Sequence, residues 1–290
     1  MTGRILLALL ALAFAANLSA GERFARGVLW QVTKAGGAPS HIYGTLHVAD
    51  ARLAELPAPV RKAFDGARSL TVEYVAGDYG KERFLEAAMF LDRQTLDGKI
   101  GREDFGRVLE ALKPVGLSRD FINKLKPWGV LLNLRNPQSG EGLSPDAQLY
   151  ARARVRRIPV YQMEGVEEQV FVFDEFPMES QVALLKHALA HREELVAMAE
   201  QTLQAYVARD LAAIWRIQQE FTARHPQIAV HHADLTKRVV YDRSVVMVFR
   251  MQRQVRKGSA FVALGVMHLY GPKGVLALLE QDGYRVRRLY

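Results

Sequence analysis

The sequence predicts an α/β protein: a central mixed, largely parallel sheet flanked by helices, with a helical insertion. Three observations carry this. Two short apolar runs, at residues 41–44 and 261–264, each reach a glycine and deliver a histidine three residues later, Gly44 to His47 and Gly265 to His268. Two further β-branched or apolar runs, residues 69–74 and 158–162, lie between them and are separated by segments of helical spacing. Residues 167–225 then carry helical patterning with scarcely a break, too much for simple strand-to-strand connections.

The elements come in this order. Residues 27–32 alternate as a strand should, and two glycines and a proline in 34–40 predict a hairpin turn into residues 41–44. Leu56, Val60 and Phe64 give residues 53–67 a helical face, with prolines near its start, where they are tolerated. The strand 69–74 ends on Glu73, a carboxylate natural at a rim rather than in a core. Residues 81–95 and 102–112 read as amphipathic helices. Ser118 is suited to cap a helix to Leu125, and Lys126-Pro127-Trp128 begins another to Leu134. Residues 136–145 hold two prolines, two glycines and two serines, a loop that could act as a lid. A basic helix at 146–157 leads into the strand 158–162, which finishes at Met163-Glu164, a second carboxylate at a strand end. Phe171, Phe173 and Phe176 form an aromatic patch before Pro177, and Asp210 is placed to restart a helix. His187 and His191 stand four apart on one helical face, but with Ala-Leu-Ala between them the His-Glu-x-x-His signature is absent, and a surface or partly packed pair is expected. His225, His231 and His232 flank Pro226 and read as solvated loop residues. Asp234 is expected to cap a helix over 235–256; a turn, a helix and a closing strand at 284–289 complete the chain.

If the strands before His47 and His268 lie parallel, both loops open at the same carboxyl edge, where open α/β sheets bind ligands. A glycine at each strand end would allow a positive φ or a close backbone approach. Length and composition suit one large domain: 290 residues, 49% hydrophobic and 24% charged. The net charge of +8 comes from scattered arginines, with no interleaving of bases and aromatics. A solvated basic surface, with attraction to anionic envelope components, is expected, and no nucleic acid partner. Residues 1–20 carry Arg4 and then an apolar run from Ile5 to Ala16, too short to span a bilayer, and read as a secretory signal peptide cleaved after Ala15 or Ala20. Residues 21–290 would then be a mature domain, periplasmic or secreted. With no cysteine, neither disulfides nor thiolate chemistry can contribute.

The rim would collect two imidazoles and two carboxylates. Neutral imidazole with carboxylate suits Zn, Mn, Fe or Co as divalent ions, and a site with three protein ligands keeps a position for water, whose pKa the ion lowers. Without an ion, the same groups could do acid–base work. No Gly-x-Ser-x-Gly elbow and no phosphate-cradling glycine loop occurs.

Tyr43-Gly-Thr-Leu-His47, Thr71-Val-Glu-Tyr74 and Ala263-Leu-Gly-Val-Met-His268, with the trailing Gly274-Val-Leu-Ala-Leu-Leu-Glu-Gln-Asp-Gly-Tyr284, resemble the TraB/GumN family, related to the Tiki proteins. Thr95-Leu96-Asp97, Leu125-Lys126-Pro127-Trp128, and the run from Pro159-Val160 through Met163-Glu164 to Glu168-Gln169 agree in order, and the resemblance spans roughly residues 25–290. It implies a divalent-metal site at His47, Glu73 and His268. Tiki members are regarded as metal-dependent proteases, which implies a hydrolase acting on a peptide or other small substrate. Arg243 matches the arginine of a late helix and could stabilise an oxyanion beside a catalytic Glu73. The family usually has Arg-Asn there, where this chain has Arg243-Ser244. Glu164 also fits the family pattern, and could cap the following helix. The alternative is a non-catalytic binding protein for haem, peptide or envelope polysaccharide.

Overall fold

A computed structural model of the chain describes residues 23–75, 77–135 and 142–290. The proposed signal segment and most of the expected lid loop lie outside the described residues. Six strands make one sheet: β1 (Leu29–Thr33), β2 (Ser40–Thr45), β3 (Ser69–Val72), β4 (Val160–Gln162), β5 (Ala260–Gly265) and β6 (Arg285–Arg288), in the order β4-β3-β5-β2-β1-β6. β4, β3, β5 and β2 run parallel, while β1 pairs antiparallel with β2 and with β6. The mixed, largely parallel sheet expected from the pattern is the one found.

β5 is buried along its whole length, as its unbroken apolar run requires with both faces covered. The hairpin β1–β2 forms because the turn residues let two alternating runs pair directly, Leu29 opposite Tyr43 and Val32 opposite Ser40. Below the sheet, Phe64 of the helix Ala58–Asp65 meets Phe261 edge-on at 5.3 Å. The helix Arg243–Lys257 covers another part, presenting Met247, Val248, Met251 and Val255 at i, i+1, i+4 and i+8. The β3–β4 and β4–β5 crossovers carry most of the remaining helices, several of which build cores of their own away from the sheet around Phe105, Val108 and Ile122, around Trp128 and Val170, and around Phe176 and Phe221.

Several expectations shift. The helix anticipated over 81–95 is Asp78–Ala87, followed by a break at Met89, which bridges to Leu125, and a short helix Leu96–Ile100. Asp234 is not a cap. The helix begins earlier, at Ala229, after a 3-10 turn led by Pro226, so Asp234 lies inside it and pairs with Arg238. His231 and His232 consequently sit on that helix, bonded to Ser180 and Thr222, rather than in a solvated loop. Ser118 and Asp210 do cap their helices, accepting from Phe121 and Ala213. The helix Val166–Asp174 is capped by Glu168, whose carboxylate accepts the Gly165 N–H, and not by Glu164. No helix among the described residues is long and apolar enough to cross a membrane.

Candidate functional site at the carboxyl edge of the sheet

The register explains how residues so distant in sequence meet. β2 and β5 are adjacent and parallel, with Gly44 opposite Leu264 and Thr45 opposite Gly265, so the two Gly-x-x-His turns leave the sheet side by side. β3 flanks β5 on its other side and ends at Val72, delivering Glu73 next. β4, beyond β3, delivers Glu164. All four parallel strands thus end at one polar hollow.

Glu73 is its centre. Its Oε1 accepts the Gly265 N–H and lies 3.7 Å from His47 Nε2 and 3.9 Å from His268 Nε2; its Oε2 accepts from Arg243 Nη2 at 2.6 Å. The same Nη2 and the Nε of Arg243 grip the buried Glu164 carboxylate at 2.6 and 2.9 Å, and Nη1 donates to the Val239 carbonyl at 3.1 Å. The guanidinium is therefore committed to orienting Glu73, with one Nη1–H left over from these four donations. Glu73 and Glu164 share a single buried counter-charge.

The outer nitrogens fix the two imidazoles. His47 Nδ1 is 2.8 Å from Asp146 Oδ2, and Thr45 donates to the other oxygen of that carboxylate at 2.6 Å. A carboxylate only accepts, so Nδ1 carries the proton of neutral His47 and Nε2 keeps its lone pair toward Glu73. On His268, Nδ1 lies 2.9 Å from Ser244 Oγ, whose own proton goes to the Val240 carbonyl at 2.7 Å. The hydroxyl has one proton to give, so His268 Nδ1 must donate and its Nε2 also points a lone pair at Glu73. Ser244 thus does for the ring what a side-chain amide would have been needed for. A π-helical turn, Lys237–Asp242, immediately precedes Arg243 and Ser244. One extra residue in a turn rotates the rest of the helix by about 100°, the increment that sets where these two side chains point.

The two glycines act by close approach, since neither has a positive φ. A Cβ on Gly265 would lie 3.1 Å from Glu73 Oε1 and 3.2 Å from His47 Nε2, inside the site itself. A Cβ on Gly44 would collide with Leu269. Gly44 is held from below: Tyr206 donates to its carbonyl at 2.9 Å, and Tyr43 to Tyr206 at 3.0 Å.

Three carboxylates (Glu73, Asp146 and Glu164) face one guanidinium and two imidazoles. Burial disfavours charge on Glu73, but His47, His268 and Arg243 outweigh it and hold this carboxyl well below the usual range. Partial desolvation by the surrounding protein opposes protonation of His47, yet Asp146 and Glu73 raise it well above 6.5; full burial wins at His268, which is lowered. Three carboxylates against one guanidinium leave two negative charges uncompensated, and without a metal a proton on His47 offsets one of them. His47 is the accessible member, its side chain 59% exposed at the mouth while His268 is buried.

Behind the hollow opens a cavity of about 810 Å³. Its walls are mostly apolar, with Trp128, Leu131, Phe173, Phe176 and Trp215 among them, and His47, Glu73, Arg243 and His268 at one end. Trp128 stacks on Phe173 at 5.4 Å and Trp215 on Tyr241 at 5.6 Å, so the aromatic walls are braced.

The four residues singled out in the sequence are all at this hollow. Ser244, noted in the sequence where the family usually has Asn, also lies here, and Asp146 is the part of it that sequence reasoning missed. Asp146 reads as an ordinary acid in a helix's first turn, and its only other signal is its place just after Ser144-Pro145, on a helix that packs along β3.

A second constellation lies among the helices. His187, His191 and His225 bring one nitrogen each within 4.8 Å of one another, a group that could hold a metal ion. Of the expected surface or partly packed pair, the packed form is the one found, His187 buried and His191 half-buried, and one expectation is corrected: His225, at 8% exposure, is not solvated. His187 is lowered to about 4, chiefly by burial and then by its two neighbouring imidazoles.

The fold and the site together define an α/β protein whose parallel strand ends gather a His/Glu/His cluster over an apolar cavity. The TraB/PrgY/gumN family model matches residues 28–288, and the chain belongs to that family. It is similar to the uncharacterized protein YbaP of Shigella flexneri and to YbaP of Escherichia coli strain K12, in each case 24% identical over 264 residues, covering 86% of this chain and 90% of the relative. No solved structure matches.

Proposed function

We propose that this chain is a metal-dependent hydrolase of peptide-like substrates, working outside the cytoplasm, with His47, Glu73 and His268 as its metal ligands. The observation that carries the reading is the pair of Nε2 lone pairs turned on one carboxylate oxygen, each imidazole fixed from behind by an acceptor on Nδ1. That back-bonding is how metal-ligating histidines are held. Atoms joined through one ion at bonds of about 2.1 Å can stand up to about 4.2 Å apart. Each imidazole is within that reach of Glu73, at 3.7 and 3.9 Å, while the three donors are not all as close to one another as those of the helical trio, so a shared ion would draw the two rings together. Zn, Mn, Co and Fe as divalent ions suit this donor set, and the charge deficit of the hollow favours a cation. Such an ion, when bound, supplies a coordinated water of lowered pKa for attack on a carbonyl.

The chain's own residues do the rest. Glu73, kept ionised by Arg243 and the Gly265 amide, is a weak base and suits a ligand better than a proton acceptor. Arg243 positions Glu73, and its spare Nη1–H is the only part of it left for an oxyanion. Asp146 and Ser244 keep both rings in the tautomer that presents Nε2. The cavity would take the apolar flank of a substrate, and the Trp215 indole N–H, buried without a partner, suits a substrate carbonyl. The basic surface and the reading of residues 1–20 support work in the periplasm, beside the envelope.

The cavity favours one second reading. Its size and aromatic walls also suit a protein that binds haem or an apolar peptide without turnover; envelope polysaccharide, recognised by polar contacts, suits such walls less well. The deciding experiment is peptide cleavage by the purified protein with and without chelator, beside Glu73→Gln. Chelator-sensitive cleavage lost in the variant is the expected result. Turnover indifferent to both would remove the hydrolase assignment, and a haem absorption band would favour binding.

A further inference from the structure

The three histidines of the helical layer form a separate site. Two come from the end of one helix: His187 lies in Met178–Ala190, and His191 is the junction residue before Arg192–Val207. The third, His225, closes the helix Leu211–Arg224. The rings are pressed together, with centroids 4.3, 4.4 and 4.5 Å apart. Imidazoles this close cannot all be protonated, and neutral imidazole is the form a metal takes.

Two features distinguish the trio from chance packing of aromatic rings. His187 is more than nine-tenths buried, yet its Nε2 has no hydrogen-bond partner. A buried polar atom left unsatisfied is costly and calls for an explanation. His225, equally buried, gives Nε2 to Glu194 Oε2 at 2.8 Å. The carboxylate can only accept, so the Nδ1 of neutral His225 bears the lone pair, fixed by a carboxylate from behind as in an outer-shell contact. Glu194 is itself anchored by Arg224 at 2.6 Å, and His191 Nδ1 stands 3.9 Å from it. His191 is only half-buried, which leaves a path for an ion and a fourth position for water.

We infer that His187, His191 and His225 form a second metal site, for a borderline divalent ion of the Zn class. Three imidazole nitrogens as ligands, with the one nearby carboxylate, Glu194, already engaged behind His225, suit Zn, Co, Ni or Cu over the oxygen-seeking Mg and Ca. An ion there would satisfy His187 and tie together two helix ends that also wall the large cavity, which Leu184, Thr222 and Pro226 line from the same turns. The site is independent of the one at the sheet edge.

Metal-stripped full-length protein titrated with Co²⁺, followed by visible absorption and by elemental analysis after desalting, tests this. The parent is expected to bind two equivalents, and His187→Ala/His225→Ala one. If only the sheet-edge assignment is wrong, the parent binds one and the double variant none. His191→Ala, at the half-exposed position, keeps the test available if the double variant does not fold, and is expected to weaken the second equivalent at least about tenfold; Glu194→Gln should weaken it about tenfold, the lower end of what losing an outer-shell partner costs. Equal binding by parent, His191→Ala and His187→Ala/His225→Ala would overturn the proposal, as would a parent that binds no second equivalent while retaining the first at His47 and His268.

Discussion

The sheet edge and the helical histidine cluster solve the same problem, bringing imidazoles together, in opposite ways. At the edge, strand register does the positioning, and each ring is fixed from behind before anything binds; Glu73, Glu164 and Asp146 leave the hollow short of positive charge. In the helical layer the rings meet through the packing of helix ends, with one carboxylate behind them and one nitrogen left bare. The edge stores its tension as uncompensated negative charge, and the cluster as an unsatisfied neutral donor set. The two regions should therefore fail differently.

The largest effect is expected from Arg243→Ala. It strands Glu73 and Glu164 as neighbouring buried carboxylates, and breaking such a network costs about 3–5 kcal/mol. Urea denaturation should show the midpoint falling with an unchanged slope; a loss under about 1 kcal/mol would mean that the network relaxes or takes in water.

Acid separates the regions next. In metal-free protein, the pKa of His187 falls from 6.5 unfolded to about 4 folded, so its contribution is full above pH 6.5 and is lost as pH drops toward 4. At about 1.4 kcal/mol per unit over about 2.5 units, that is at most roughly 3–4 kcal/mol. Glu73, also depressed, keeps its contribution above about pH 4.5 and gives it up only as pH falls through its low folded value. His47, raised, works the other way, losing its contribution as pH rises through its folded value. Thermal midpoints of the parent and His187→Phe across pH 4–7 check this: the parent should lose stability over that range, and the variant should lose markedly less.

Gly265→Ala sharpens the contrast, because the added methyl meets Glu73 and His47 head-on. A cost of about 1–3 kcal/mol is expected, with metal binding lost at the edge and unchanged at the cluster. Ser244→Ala should be mildest, about 1 kcal/mol for the hydrogen bond left unmade to His268, and Ser244→Asn should restore the metal affinity that Ser244→Ala loses.

Legibility in the sequence divides along the same line. A strand end announces itself: an apolar run followed by a polar side chain, with a glycine ahead of each histidine, places His47, Glu73, Glu164 and His268 at one rim as soon as the strands are taken as parallel. The partners behind them were not readable. Asp146 is indistinguishable from any acid in a helix's first turn, and the role of Ser244 in place of Asn follows only from the Val240 carbonyl that fixes its proton. His187 and His191 announce a shared helix face, but periodicity does not say what covers it. His225 comes from another helix more than thirty residues on, just before a proline that suggests a loop. Helix-to-helix contacts depend on crossing angles and side-chain interlocking that no local pattern encodes.

The most direct test of the central claim is the metal content of His187→Ala/His225→Ala, which isolates the sheet edge, compared with the same protein carrying His268→Ala in addition. One equivalent of a transition metal in the first and none in the second is the predicted result. Equal metal in both, or none in either after loading with Zn²⁺, Mn²⁺ and Co²⁺ in turn, would contradict it.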